Sequence, residues 1–544
     1  MLRRFLEQSY SRKEVDAFCF CHNAEIRDET HLNRNLVDFG GELQQDGING
    51  VCKRLAELPK EWTVVQLTCG FNPLRRFGDP NQIQQATTLH ITRLESEPYC
   101  VTVNLPASVG LFEELSNIIA HHKTQLQEFI HYPTKYWKAR EEKNMRMNAI
   151  VRQLENAWMK EWRCLLAGKL VNDELSRKVE SAVKERLLKT SQDKSVEDST
   201  AGGDQVNYRR ASRLLFQVVL AAAKLTFFEV KKIVASCMGV NIKSEECNIL
   251  AEEIININKS ITELETAKRH PLIIILDDQL EQFPWEMISL LSGHPVVRAY
   301  SLHMLHALYK VHEKDIKNGH VVSTNPELGN YIVNPDQNLN SMEERIKMSL
   351  VPRTPKWKGI FGVKPTSQQF KTALKDYDIF FYSGHGCGTK YLLGEDIQKI
   401  RVQAASLLFG CNSIGLTSLG RLVENWGTTQ SYLIGCSPCI VGALWTVTDQ
   451  DTDRFALNML HHWLPPTEEM KKRMSLVEPK EKRPLRNEPS NLEFDLIKKT
   501  SSSWQQEPEL LRALFLGRQG AKQFMTSAAF AAIGLPIKLH TEFD

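Results

Sequence analysis

The sequence predicts an α/β protein with mostly parallel sheets covered by helices. Two successive α/β units and a long α-helical insertion account for its length. Three observations carry that expectation. Short apolar runs such as Pro271-Leu-Ile-Ile-Ile-Leu276 and Ile379-Phe-Phe-Tyr382 end in carboxylates or glycines, as strands buried on both faces do. Those runs alternate with segments of helical spacing, the order of a parallel sheet. Between about 111 and 268, Gly and Pro become scarce and apolar residues step at helical spacing. A chain of 544 residues has room for three or four domains at roughly 150 residues each.

Taken in order, residues 1–57 read as a polar N-terminal segment. Met1-Leu-Arg-Arg-Phe5 leads to Glu7 without an apolar core, so no secretory signal is expected. Cys19-Phe-Cys-His22 lacks a second ligand pair at finger spacing and reads as packing, not metal binding. Strands follow at Trp62–Thr68, Leu89–Arg93 and Cys100–Leu105. The helical insertion at about 111–268 carries Trp137, Trp158 and Trp162 among Lys, Arg and Glu, the texture of a solvated arm with a buried seam. A flexible loop is expected at 190–207, with helix resuming at Tyr208. The α/β texture then begins, with strands at Pro271–Leu276, Val296–Tyr300 and Asn330–Pro335 and a helix at Leu302–Lys314. It repeats more densely after Trp357. Strands are expected at Ile379–Tyr382, Ala405–Phe409, Tyr432–Gly435 and Ile440–Trp445, and a helix at Thr452–Leu464. Residues 465–505 are Pro-rich and charged and read as an exposed insertion. A final helix from about Pro508 to Arg518 leads into the apolar stretch Phe530–Ile537.

Composition excludes several classes. Apolar residues at 42% and charged residues at 24% are ordinary globular usage, which rules out a disordered or collagenous chain. Lys plus Arg is 68 and Asp plus Glu is 65, a net charge of +3 that makes no case for nucleic-acid or membrane binding. The longest apolar stretch, Leu214–Phe228, falls short of the ~18–20 residues of a membrane span. Gln217 and Lys224 interrupt it, so it reads as a buried amphipathic helix. Twelve scattered cysteines form no disulfide framework, and a reducing compartment is expected.

Two strand ends carry the candidate chemistry. One is Ser383-Gly-His385-Gly-Cys-Gly388 and the other is Gly410-Cys411-Asn-Ser413. In open α/β sheets the ligand crevice lies beyond the carboxyl ends of the strands. A His and a Cys delivered there by neighbouring strands form a base–nucleophile pair. The imidazole takes the thiol proton and later returns it to the leaving amine. The backbone N–H groups of Gly386 and Cys411 are candidates for holding the developing oxyanion. Cys387 sits on the His loop and is set aside as a nucleophile. Cys436-Ser-Pro-Cys439 lacks the flanking context of a redox helix and reads as packing. Asp449, Asp451 and Asp453 follow a strand end at Trp445. On their own they read equally as carboxylates at a helix N-terminus.

Several segments together resemble the protease domain of separase, a caspase-like cysteine endopeptidase family. They are Tyr382-Ser-Gly-His385-Gly-Cys-Gly388, Leu408-Phe-Gly-Cys411-Asn-Ser413 and Leu444-Trp445-Thr-Val-Thr448-Asp449-Gln-Asp451-Thr-Asp453-Arg454. Leu276–Glu286 with its Pro284-Trp-Glu286 turn, Asn330–Pro335 and Trp357–Gly362 also match. The likeness spans roughly Leu58 to the C-terminus. It implies a caspase-like fold in which a degenerate, non-catalytic unit (58–345, interrupted by the helical insertion) precedes an active protease domain (346–544). It implies Cys411 as nucleophile, His385 as base and cleavage after Arg in Glu-x-x-Arg. Asp451, then Asp449, is favoured for the P1 Arg pocket, with Asp453 and Trp445 beside them. Thr446 and Asn412 depart from the family's usual Asp and Ser.

The resemblance also implies a cohesin kleisin as substrate, a securin-like inhibitory chaperone, and action in cytoplasm and nucleus on mitotic chromosomes. No metal or organic cofactor is called for. Separases generally carry a long helical region ahead of this portion, so a short form or a separate helical-repeat partner subunit is expected. Two other readings remain: a different caspase-like peptidase, or a catalytically silent α/β interaction module. Glu174-Leu-Ser-Arg177 spells the Glu-x-x-Arg pattern within the helical arm, where self-cleavage is not favoured.

Overall fold

The computed structural model describes residues 32, 47–69, 88–94, 99–104, 110–129, 131–188, 203–238, 243–417, 425–467 and 506–540. The Cys19–His22 run, most of the N-terminal segment, residues 190–202 and most of the charged insertion at 465–505 lie outside them.

The strands are β1 (Thr63–Cys69), β2 (Thr88–Leu94), β3 (Tyr99–Asn104), β4 (Leu272–Leu276) and β5 (Val296–Ala299). There follow β6 (Ile316–Lys317), β7 (His320–Thr324), β8 (Gly329–Val333), β9 (Lys358–Phe361) and β10 (Ile379–Ser383). The last are β11 (Ala405–Phe409), β12 (Cys439–Ala443), β13 (Phe530–Gly534) and β14 (Ile537–Leu539). Eleven of them form one sheet in the order β3-β2-β1-β4-β5-β13-β12-β11-β10-β8-β9. Neighbours are parallel except at β1–β2, β2–β3 and β12–β13. The expected mostly parallel α/β architecture is present. Its two strand groups are continuous through β13, which pairs antiparallel with β12 and touches β5 at Ile533–Arg298. The expected boundary near residue 345 falls between β8 and β9, which are neighbours in that sheet. β14, β7 and β6 make a small second sheet.

The central strands of the sheet are buried because they carry apolar residues on both faces. β4, β5, β10, β11, β12 and β13 are buried at every position. Parallel strands need long crossovers, and helices supply them. Ser301 caps the Leu302–His312 helix by accepting the Met304 N–H. Thr366 and Gln369 form a capping box on the Ser367–Lys375 helix.

One predicted strand is a helix. Tyr432–Gly435 lies in and after the Thr428–Ile434 helix, which is buried from Thr429 to Ile434. An apolar run covered on all sides has no periodicity to separate strand from helix. The parallel pairing of β11 with β12 demands a crossover at this place. The helix expected from Tyr208 begins earlier, at Gly203.

Between β3 and β4 the described residues are largely helical, led by Gly110–Glu128, Pro133–Gln153, Gly203–Ala221, Phe227–Met238 and Ser244–Ser260. This arm is tied down rather than loosely appended. Buried Arg93 on β2 donates to the Leu165 and Ala167 carbonyls (2.9 and 2.8 Å). Trp158 is fully buried against Phe112, Phe283 and Trp285, so the arm and the connection between β4 and β5 share one aromatic cluster. Trp137, in contrast, is exposed.

Beside the junction of the two strand groups lies a buried ion pair. Arg298 on β5 clamps Glu286 through two 2.7 Å bonds and donates to the Glu281 and Phe283 carbonyls. Breaking such a pair strands a buried charge, at a cost of about 3–5 kcal/mol. Arg298→Ala is therefore expected to lower unfolding free energy by about that much, read from urea denaturation of the full chain.

Candidate active site

β10 and β11 are adjacent and parallel, with Ser383 opposite Phe409. His385 and Cys411 each stand two residues beyond those partners, so both leave the sheet at the same edge. The two loops touch. A Cβ on Gly410 would lie 1.9 Å from the Gly386 carbonyl oxygen and 2.6 Å from that of Gly384, so only glycine fits. Gly386 turns the His loop at φ +63°, in the left-handed region that favours glycine.

His385 is exposed, and its Nε2 lies 3.1 Å from Asn338 Oδ1. In the tautomer that donates Nε2–H to this amide oxygen, Nδ1 keeps the lone pair and is the free base position. Asn338 orients the ring as a third group does in a nucleophile–base–orienter set. Asn338 is held in turn by Asn334, a buried residue at φ +50°. The Asn334 Oδ1 accepts from the Asn338 and Leu339 N–H groups, and its own N–H donates to the Ser383 carbonyl. The end of β8 thus braces the His loop at the end of β10.

The partly buried Cys411 thiol donates to the Val447 carbonyl at 3.2 Å. Asn412 follows at φ +53°, a conformation Asn tolerates better than Ser, which gives its departure from the family's usual Ser a physical reason. The Asn412 and Ile414 N–H groups bond the Trp445 and Ala443 carbonyls (3.0 and 3.1 Å), fastening the turn to the end of β12.

The acidic residues divide their tasks. Asp451 is buried, and its oxygens accept the Lys522 and Gln523 N–H groups (2.8 and 3.0 Å). Asp453 is buried against Arg345 at 2.7 Å. Burial pushes its carboxyl up to about 7, while Arg345 pulls it back down. Asp449 keeps its side chain 49% exposed and shares Arg345 at 3.3 Å. Trp445 is buried, with Nε1 donating to the Met525 carbonyl. Cys387 bonds Thr389 and Thr428 and stands on the His loop. Cys436 and Cys439 are buried and joined in no disulfide, and burial pushes the Cys439 thiol up to about 12, the reverse of a reactive redox cysteine. Glu174–Arg177 lies inside the Asp173–Ala182 helix, where Asn172 caps the first turn and Leu175 is buried. Among the residues met here for the first time, Asn334 lies in the Asn330–Pro335 match, whereas Asn338 and Arg345 carry no local signal.

The chain is similar to known proteins. A family profile described as "Separin, protease domain" matches residues 84–452. The chain is 29% identical to "Separin" of Mus musculus over 384 residues, covering 70% of this chain and 17% of that protein. It is 25% identical to "Separin" of Schizosaccharomyces pombe over 430 residues, covering 75% of this chain and 22% of that one. The chain thus spans about a fifth of the length of these relatives. A Saccharomyces cerevisiae separase–securin complex has a similar fold, with a TM-score of 0.60 at 18% identity over 91% of this chain and 31% of that one.

Two measurements test the site. Asn338→Ala frees the ring, and with it any His385-dependent rise in Cys411 alkylation near neutral pH is expected to fall by about tenfold. For Asp453 the sign runs with protonation. A raised carboxyl stabilises the fold below pH 3.8 and loses that contribution as pH rises through about 7. Arg345→Ala removes the opposing charge. It is expected to cost about 2–3 kcal/mol near pH 8, less than a fully buried pair because Arg345 is 20% exposed. The deficit shrinks toward about pH 4, read as unfolding free energy against pH.

Proposed function

The chain belongs to the separin protease family, and from that membership we propose that it is a cysteine endopeptidase in which His385 activates Cys411. The carrying observation is the touching pair of loops beyond β10 and β11, with His385 Nε2 held by Asn338. His385 Nδ1 takes the thiol proton, and the Cys411 thiolate attacks the carbonyl carbon of the P1 residue. The Gly386 and Cys411 N–H groups receive the oxyanion. The imidazolium returns its proton to the leaving amine, and a thioester remains on Cys411. Water, deprotonated by His385, then adds to the thioester and expels the thiolate, which recovers a proton from the ring. No step calls for a metal or an organic cofactor.

The substrate reading is cleavage after Arg within Glu-x-x-Arg, in the kleisin subunit of cohesin, to release sister chromatids at anaphase. Asp449 is assigned the P1 guanidinium, because its carboxylate is exposed while both Asp451 oxygens accept backbone N–H groups. Arg345 beside it would yield part of its hold when the substrate Arg arrives. A securin-like chaperone is proposed to occupy the same cleft as a pseudosubstrate, in keeping with the securin-bound relatives of similar fold. A separate helical-repeat subunit is a further proposed partner. The proposed setting is cytoplasm and nucleus, on mitotic chromosomes.

The test is a fluorogenic peptide ending in Glu-x-x-Arg, offered to inhibitor-free protein. Wild type is expected to cleave it, and Cys411→Ala, His385→Ala and a P1 Arg→Ala peptide each to lose at least about a hundredfold in kcat/KM. Cleavage that survives Cys411→Ala would assign the nucleophile elsewhere. No wild-type cleavage would favour an interaction module.

A further inference from the structure

The helical arm reaches the active site at two points on one helix face. Arg140 and Asn144 lie on the Pro133–Gln153 helix, four residues apart and both buried. Arg140 donates to Thr448 Oγ1 at 3.1 Å and to the Tyr136 hydroxyl at 3.1 Å. Thr448 is the N-cap of the Asp449–Trp463 helix, yet its hydroxyl makes no cap bond. A Thr at that place ordinarily accepts from its own helix. Here its oxygen accepts from the arm instead.

Thr448 is flanked by the groups that matter. Val447, on one side, accepts the Cys411 thiol. Asp449, on the other, presents the exposed carboxylate. Asn144 holds the far side of the same turn. Its Nδ2 donates to Gln523 Oε1 (2.5 Å) and its Oδ1 accepts the Met525 N–H (3.1 Å). The Gln523 N–H binds Asp451, and the Met525 carbonyl accepts from Trp445 Nε1. The turn from Trp445 to Asp451 is thereby held at both ends by one helix of the arm.

We infer that Arg140 and Asn144 are positioning residues, which hold the Trp445–Asp451 turn in register beside Cys411 and so set how the arm presents the P1 pocket. The inference rests on the peptidase reading for its kinetic readout. Its geometric content, the coupling of Arg140 through Thr448 to Val447 and the thiol, is independent of that reading. A ligand or partner that moved this helix would change substrate recognition before it changed the chemistry.

The experiment is a double-mutant cycle on the full chain, with Arg140→Ala, Thr448→Val and both together. Thr448→Val keeps the shape at a half-buried site and guards against misfolding of the Arg140 variant. Peptide KM is expected to rise about tenfold in each single variant, the worth of one hydrogen bond from a charged donor. With kcat kept within about twofold, the double variant is expected to be no worse than either single. Iodoacetamide alkylation of Cys411 is expected to quicken about threefold in all three variants, as the Val447 carbonyl loosens. Additive losses, an unchanged KM in folded Arg140→Ala, or a fall in kcat alone would each overturn the inference. If wild type cleaves no peptide, the peptidase reading fails. The alkylation rates then decide alone, and equal rates in wild type and variants would overturn the positioning role.

Discussion

Parallel pairing of β10 with β11 is the constraint on which the site depends. Two neighbouring parallel strands must end at the same edge of a sheet, and Ser383 opposite Phe409 makes their two extensions equal in length. The loops then meet so closely that Gly410 admits no side chain against the Gly386 carbonyl. A one-residue slip would turn each strand's side chains to the opposite face and carry Cys411 out of line with His385. Burial of every residue in both strands forbids that slip. The geometry of the candidate site thus borrows its precision from the core.

That core is shared by the whole molecule. β13, Phe530–Gly534, joins β1–β5, which span residues 63–299, to the strands bearing the site. The Arg298–Glu286 pair stands beside that join, its guanidinium satisfied by two carboxylate bonds and two carbonyls. The β1–β5 strand group is therefore no detachable neighbour. It supplies one flank of the sheet, and the helical arm, anchored to it by Arg93 and the Trp158 cluster, supplies a clamp on the turn beside Cys411.

Similar residues in one short turn acquire different roles from their surroundings. Asp449, Asp451 and Asp453 follow one another along a helix start, and nothing local distinguishes them. Asp451 points at two backbone N–H groups of the 522–523 segment, Asp453 is sealed against Arg345, and Asp449 faces solvent. This arrangement is why Asp449, rather than Asp451, which the resemblance favours, is the residue proposed for the P1 Arg. Partners some 70 and 108 positions away in sequence decide it, and no local pattern encodes such contacts.

The sequence by itself determined the fold class, most strands and the placing of His385 and Cys411 just beyond two neighbouring strand ends. Each is written in local chemistry: continuous apolar runs for buried parallel strands, and glycines where a loop must turn or touch another. It misread Tyr432–Gly435, since a run buried on every side has no periodicity to show. Only the tertiary structure decided that the two strand groups form one sheet, that Asn338 orients His385, and that Arg140 holds Thr448. Those facts depend on side chains 47 and 308 residues apart meeting at one edge of a sheet. The physical reason is that hydrogen bonds and ion pairs act over a few ångströms of space, while a sequence records only neighbours along the chain.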